Sequence, residues 1–414
     1  MISIFPSKLN GTIRIQPSKS VSHRAILCAA LAEGASVLTN VAFSDDITAT
    51  LKAGEKMGLC GYRMEKGALI IEKSVPKPPL DNEIIEIDCN ESGSTLRFCL
   101  PLAMDGTERW FTGRGRLMER PLEPYEEICR KQNIKMIRSA SGIMVRGELN
   151  PDIFIMRGDI SSQFISGLLF ALPRLKGDSR IIFNTKLESK PYVDITMDIQ
   201  KKYGVHTEFS AEDIVVYGNQ KYRNTHIEIE GDFSHAAFFA VGAALSGEVT
   251  MEGLSPDSLQ GDREIFDILK RAGAQVDGYC VKKSNMRALD IDVSQIPDLV
   301  PVLCVLACGI KGTTTIYNAA RLRLKESDRL SAMTQELTKL GAVIREYEDK
   351  LVIEGGSTLR GASVDSHGDH RIAMALATAS CITEGIIFLD NPNVVSKSAP
   401  FFYSEFKRLG GIVK

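Results

Sequence analysis

The sequence predicts an α/β protein of two domains built inside out, with helices buried and sheets around them. Two observations carry this. A unit of about 70 residues recurs six times, and the first helix of each unit is apolar nearly all round, which marks a helix buried on every side. Length agrees: 414 residues is roughly three times the ~150-residue prior for one domain, so more than one is expected.

Each repeat reads as a short polar turn, a small-residue helix, Gly and a β-rich run, then an amphipathic helix and, in most, a pair of alternating strands. The run Met1–Phe5 precedes the first repeat and is expected to close the C-terminal domain. In repeat one Ser18-Lys19-Ser20 leads into AILCAALAEGASVLTNV, followed by DITATLKAGEKMG. Gly93-Ser94-Thr95 opens LRFCLPLAMDGTERWFTG, and YEEICRKQN follows. Ser161-Ser162-Gln163 opens FISGLLFALPRLKGDSRIIF, with VDITMDIQKKYG after it. Phe233-Ser234-His235 opens AAFFAVGAALSGEVTMEG, then REIFDILKRAGA. Pro297-Asp298 opens LVPVLCVLACGIKGTTTIYN, then LSAMTQELTKLGA and the hairpin pattern AVIREYEDKLVIEG. Asp369-His370-Arg371 opens IAMALATASCITEGIIFLDN, and FYSEFKRLGG ends a truncated sixth copy.

Anchored on Ser20, Ser94, Ser162, Ser234, Asp298 and Asp369, the intervals are 74, 68, 72, 64 and 71 residues, too even for chance. Apolar residues at i, i+3 and i+4 give each second helix one buried stripe, with Gly or Asn near its stop. The unit is therefore β-α-β-α-β-β. Six units divide into two domains of three: residues 14–225, and 1–13 with 226–414. The active site is expected in the cleft between them.

Composition removes other classes. Fifty Lys plus Arg against fifty-two Asp plus Glu leaves a net charge of −2, without the basic excess of nucleic-acid or membrane-surface proteins. The longest apolar run, Val300–Ile310, has eleven residues, against about 20 for a bilayer span. Met1–Pro6 lacks the charged and apolar regions of a secretory signal. Nine cysteines, an odd number scattered through apolar stretches, do not make a disulfide scaffold. A reduced, cytoplasmic protein is expected, with no nucleic-acid or membrane partner, and a monomer.

The turn before each buried helix is its N-terminus, where free backbone N–H groups and the helix dipole favour anions. Pro17–Arg24 brings two cations and three hydroxyls, and Glu91–Arg97 brings hydroxyls, a cation and Gly93. Ser161-Ser162-Gln163 is neutral but rich in hydrogen-bonding groups; Asp298 adds a carboxylate, and His367–Arg371 three titratable groups and an Arg. Further basic segments are Arg114–Pro121, Ser189–Tyr192, Arg321–Arg329 and Ser396–Ser398.

Each has a plain structural reading. A Ser or Asp before a helix is ordinarily an N-cap, and a run such as RLRLKESDRL is ordinarily a solvated helix face. His367 and His370 have weak metal-ligand spacing, so no metal is expected, and no G-x-x-x-x-G-K-[ST] loop occurs. Stability alone does not ask for Arg at equivalent turns of several repeats. Arg suits bidentate recognition of phosphate or carboxylate. A small substrate bearing several anionic groups is the bottom-up expectation, with Asp298 and Glu326 placed to move protons among the cations.

The motifs PSKSVSHRA, SGSTLR, LMERP, SSQF, SKPYVDIT, IPD, RLKESDRL, GDHRIAMA and NVVSKSAP occur in order along nearly the whole chain. In this the sequence resembles the 5-enolpyruvylshikimate-3-phosphate synthase family of enolpyruvyl transferases. The resemblance implies a two-domain inside-out α/β barrel with parallel buried helices. It implies transfer of enolpyruvyl from phosphoenolpyruvate to the 5-hydroxyl of shikimate 3-phosphate, without metal or organic cofactor.

Carried over by motif, Lys19 touches both substrates. Ser20, Arg24, Ser161, Ser162, Ser189, Asp298 and Lys325 hold shikimate 3-phosphate, with Gln163 between the two. Gly93, Arg120, Arg329, Arg371 and Lys397 hold phosphoenolpyruvate, and Arg97 and His370 line the site. Asp298 is the base on the 5-hydroxyl; Glu326, with Lys19, handles the proton at C3. Glu91 and Ser94 depart from the family pattern beside Gly93, and Arg321 stands where some relatives have Asn. Gly93 itself is kept; relatives with glycine there tend to be inhibited by glyphosate, so the resemblance implies sensitivity to it. Two alternatives remain open at this level: the sister enzymes acting on UDP-N-acetylglucosamine, which pair their first-turn Lys with Asn where Ser20 stands and often carry Cys where Gly115 stands, and a non-catalytic anion-binding repeat protein.

Overall fold

A computed structural model describes residues 1–73, 85–210 and 213–414. The chain divides into two compact units, Pro17–Ile229 and Met1–Gln16 with Glu230–Lys414, each around its own hydrophobic core. Both show the predicted β-α-β-α-β-β order.

The Pro17–Ile229 unit carries α1 (Lys19–Leu31), α2 (Asp45–Lys56), α3 (Gly93–Leu102), α4 (Glu123–Lys131), α5 (Ser162–Ala171) and α6 (Lys190–Lys202). The other carries α7 (Phe233–Ser246), α8 (Glu264–Ala272), α9 (Val300–Gly309), α10 (Arg329–Lys339), α11 (His370–Ala379) and α12 (Phe402–Arg408). The odd-numbered helices are the buried ones. In α3 only Ser94 escapes burial, in α5 only Gln163, in α7 only Ser234, and in α11 nothing does. The partly open residues thus sit in the first turn. Helices α7, α9 and α11 pack on one another; in the other unit α3 packs on α5. There Gly167 permits close approach: a Cβ would lie 2.3 Å from the carbonyl oxygen of Arg97.

Side-chain caps start five of these six helices. Ser18, Ser92, Ser161, Asp232 and Asp369 accept from Val21, Thr95, Gln163, His235 and Arg371 N–H, satisfying orphan donors. The caps lie one or two residues before the serines that anchor the repeat, which therefore fall in the first helical turn. Helix α9 differs: the turn Pro297–Leu299 leads into it with no side-chain cap.

Repeats two, three and five each form a four-stranded sheet with two parallel strands followed by an antiparallel hairpin. Repeats one and four exchange their first strands. Asn10–Arg14 pairs in parallel with Glu248–Glu252, and His226–Glu228 with Ser36–Thr39. This exchange puts the crossings at Gln16/Pro17 and Ile229/Glu230, a few residues past the expected 13/14 and 225/226. In the sixth sheet Ile2–Phe5 lies antiparallel between Ile387–Asp390 and Ile412–Val413, in the place of the strand that the truncated repeat lacks.

Candidate active site

In the Pro17–Ile229 unit the first turns of α1, α3 and α5 each present a polar group. Lys19 Nζ is 2.9 Å from Asp46 Oδ2 in the first turn of α2. Arg24, one turn into α1, is only 2% exposed. Its Nε donates to Thr196 Oγ1 (2.7 Å), Nη1 to the Ser20 carbonyl (2.7 Å) and Nη2 to the Tyr192 carbonyl (2.9 Å), over the Phe98 ring. Burial brings its pKa down to about 10. Arg24 thereby ties the Ser20 turn to α6.

On α3, Arg97 Nη1 donates to Gln163 Oε1 (2.8 Å) and Nη2 to the Pro121 carbonyl (3.1 Å), while Gln163 Nε2 donates to Ser94 Oγ (3.0 Å). The guanidinium also covers the Phe164 ring at 4.9 Å. Ser161 caps α5 and Ser162 is buried at its first position. Ser189, buried before α6, has φ 54°. The Arg120 carbonyl accepts from Arg138 Nη2 (2.8 Å), which anchors the segment carrying the Arg120 side chain.

Gly93 is packed against that guanidinium. A Cβ there would lie 2.7 Å from Arg120 Nη1 and 3.2 Å from Arg97 Nη1, so any side chain displaces cations. Gly93→Ala is expected to raise the KM for phosphoenolpyruvate by about 10- to 100-fold, the scale set by ångström-level misplacement, while Tm stays near wild type. Steady-state kinetics with each substrate varied in turn checks this; equal effects on both substrates would refute it.

The other unit gathers its candidates into one network around Arg329, which is 1% exposed. Arg329 Nε donates to Asp369 Oδ2 (2.8 Å), Nη1 to Asp298 Oδ1 (2.9 Å) and Nη2 to Glu326 Oε2 (3.0 Å). Arg371 Nη2 donates to Asp298 Oδ2 (2.8 Å), Lys325 Nζ lies 3.7 Å from Asp298 Oδ1, and Lys397 Nζ is 3.5 Å from Glu326 Oε1. His370 is buried with Nδ1 3.8 Å from Asp369 Oδ1. Four cations therefore face three carboxylates.

The electrostatics follow from this crowding. Burial alone would raise the Asp298 pKa, yet Arg371, Lys325 and Arg329 hold it well below the ordinary carboxylate value. Lys325 is brought down to about 8, first by burial and then by Arg329 and Arg321. For Arg329 burial works toward a lower pKa, but Asp369, Glu326 and Asp298 outweigh it and keep the guanidinium charged. An anion that pairs with these cations offsets the charge that depresses Asp298, which raises its affinity for a proton.

The departures from the family pattern also find places. Glu91 is half-buried and lies against Gly115. Arg321 is buried and donates through Nη2 to the Ser294 carbonyl. Two roles escape a reading of the sequence. Asp369 is a helix cap and an Arg329 ligand at once, and its cap role gives no hint of the second. Asp46, in the first turn of an amphipathic helix, reads as a complement to the helix dipole. A hydrogen-bonded chain also joins His23 Nδ1, Thr50 Oγ1, Thr95 Oγ1 and the cap Ser92 at 2.7, 2.7 and 2.8 Å. Burial, with Lys19 and Arg24 nearby, takes His23 down to about 3, so the chain is neutral and supports the α3 turn at Gly93.

Comparison with known proteins gives a consistent result. A family model described as EPSP synthase (3-phosphoshikimate 1-carboxyvinyltransferase) matches residues 5–406. Curated proteins named 3-phosphoshikimate 1-carboxyvinyltransferase from Clostridium novyi (strain NT) and Clostridium kluyveri are 46% and 47% identical over 425 residues, spanning 100% and 99% of this chain and 98% and 97% of theirs. Among solved structures, an EPSP synthase from Acinetobacter baumannii aligns with TM-score 0.82 at 26% identity, covering 100% of this chain and 99% of that one. The enolpyruvyl transferase NikO from Streptomyces tendae, at 17% identity, TM-score 0.80 and coverage of 100% and 98%, shares the fold.

Proposed function

The chain belongs to the EPSP synthase family, and from that premise we infer how its residues divide the work of the reaction. The protein transfers the enolpyruvyl group of phosphoenolpyruvate to the 5-hydroxyl of shikimate 3-phosphate and releases phosphate. The observation that carries the reading is the network joining two carboxylates, Asp298 and Glu326, to Arg329, Arg371, Lys325 and Lys397. A binding protein for anions has no use for carboxylates among its cations; a proton-transferring enzyme does.

In the addition step the 5-hydroxyl oxygen bonds to C2 of phosphoenolpyruvate, its proton passes to Asp298, and C3 takes a proton from Glu326. The product is a tetrahedral ketal phosphate. In the elimination, C3 returns a proton to Glu326, the double bond re-forms and the C2–O bond to phosphate breaks. The departing phosphate takes the proton that Asp298 accepted, which restores both carboxyl groups to their starting states. Lys19, Ser20, Arg24, Ser161, Ser162, Gln163, Ser189 and Lys325 serve shikimate 3-phosphate. Arg120, Arg329, Arg371 and Lys397 serve phosphoenolpyruvate together with Lys19 and Gln163, and Gly93 leaves room for Arg120. Arg97 and His370 line the site. Donors aimed at developing negative charge supply most of the acceleration in such reactions.

A monomer acting in the cytoplasm suits this reading. All nine cysteines are free thiols, and no helix among the described residues is long and apolar enough to cross a membrane. The activity is tested by coupled detection of phosphate release. Release that requires both shikimate 3-phosphate and phosphoenolpyruvate is expected; release with phosphoenolpyruvate and UDP-N-acetylglucosamine would overturn the assignment.

A further inference from the structure

Asp262 has no role in the scheme above. It sits in the turn Gly261–Arg263 leading into α8 and is 2% exposed. One carboxyl oxygen accepts from Ser234 Oγ, in the first turn of α7. The other, Oδ1, is buried without a hydrogen-bond partner among the described residues. The charged groups facing it are Asp298 in the turn before α9, Arg371 at the start of α11, and Asp232, the cap of α7. Its sequence neighbours are engaged elsewhere: Arg263 Nη1 donates to the Ser258 carbonyl (3.0 Å), and Gln260 Nε2 to Glu230 and the Gly231 carbonyl (both 2.8 Å).

Asp262 and Asp298 are thus two buried carboxylates that both feel the charge of Arg371. Arg371 donates directly to Asp298, and Arg329 and Lys325 also support that residue's charge. Like charges this close do not both ionise readily. We propose that Asp262 is a positioning residue whose ionisation sets the net charge around Arg371 and, through it, the affinity for the anionic substrate held there. Neutral Asp262 leaves Arg371 available to that anion, and ionised Asp262 competes with it. Burial first, then the Asp298 charge, brings the Asp262 carboxyl up to about 7 from an ordinary 3.8, so the change falls within the working range of an enzyme.

The direction follows. Below about pH 7 Asp262 carries its proton; above it, the added negative charge weakens anion binding. In the wild type, kcat/KM for phosphoenolpyruvate is expected to fall above that pH by up to about tenfold per pH unit, through KM rather than kcat. Asp262→Asn, isosteric with the neutral form, should lose that ionisation and hold kcat/KM to higher pH. Ser234→Ala, which removes a hydrogen bond favouring the ionised form, should move the break upward. Substrate ionisations are common to all three enzymes and cancel in the comparison.

The inference rests on Arg371 binding phosphoenolpyruvate, so a second readout without substrate keeps the two ideas separable. Infrared difference spectra between about pH 6 and 8, roughly one unit either side of the expected break, should show a carboxyl titration that Asp262→Asn lacks. A variant profile that superimposes on wild type, or no such carboxyl in the wild-type spectrum, overturns the proposal. A carboxyl that titrates as expected while turnover stays insensitive to it would place the fault in the Arg371 assignment.

Discussion

Asp298→Asn is expected to lower kcat by about 10²- to 10⁴-fold, the usual worth of a positioned general base, without weakening the binding of shikimate 3-phosphate. Asparagine keeps the shape of the side chain and one acceptor. Its carbonyl oxygen can accept from Arg329 Nη1 or from Arg371 Nη2, which lie 2.9 and 2.8 Å from different carboxylate oxygens, and its amide NH2 faces the other guanidinium. It cannot take the 5-hydroxyl proton. It also removes one negative charge from a network in which cations already outnumber carboxylates, so an anion should bind as well as before or better. Steady-state kinetics paired with calorimetric binding separates these effects. Turnover within a few-fold of wild type would put the base elsewhere; binding lost in proportion to kcat would make Asp298 a structural strut.

Arg329→Ala is expected to cost both activity and fold stability. The guanidinium is 1% exposed and bridges Asp369, Asp298 and Glu326. Removing it leaves three buried carboxylates without their shared cation, and breaking one such buried pair typically costs about 3–5 kcal/mol. For a unit of this size that is a fall in Tm of roughly 6–20 °C. Arg329→Lys should recover part of the stability through its charge. It should recover little of the activity, because one ammonium cannot reach three carboxylates in the fixed fork that the guanidinium offers. Thermal unfolding of both variants checks the order. A Tm unchanged in Arg329→Ala would show that the network contributes nothing to folding.

Much of this was visible along the chain because it is local. Helix α7 is apolar on every face, and that composition has only one stable environment. The even repeat spacing and the amphipathic second helices place the remaining elements. Reading stops where two residues fit one role. Ser18 and Ser20 are both suitable caps, and only the backbone shows that Ser18 accepts from Val21 N–H, leaving Ser20 for the first turn. Arg24 looks like any cation in a polar turn, but its donors reach Thr196 and Tyr192, 172 and 168 residues away, pairings that no local pattern announces.

The same division holds for the chemistry. Residue types and spacing are properties of the chain, so the sequence alone determined the repeats, the buried helices and the cationic turns, and it singled out Asp298 and Glu326. Only the tertiary structure decided which charges meet. Asp298, Glu326, Arg329, Asp369 and Arg371 come from three separate segments and join in one buried network, while Asp262 is left beside it with an unpartnered oxygen. The physical reason is that the strength of a charge interaction depends on distance and burial. Both are set by long-range packing, and neither is written in the order of the residues.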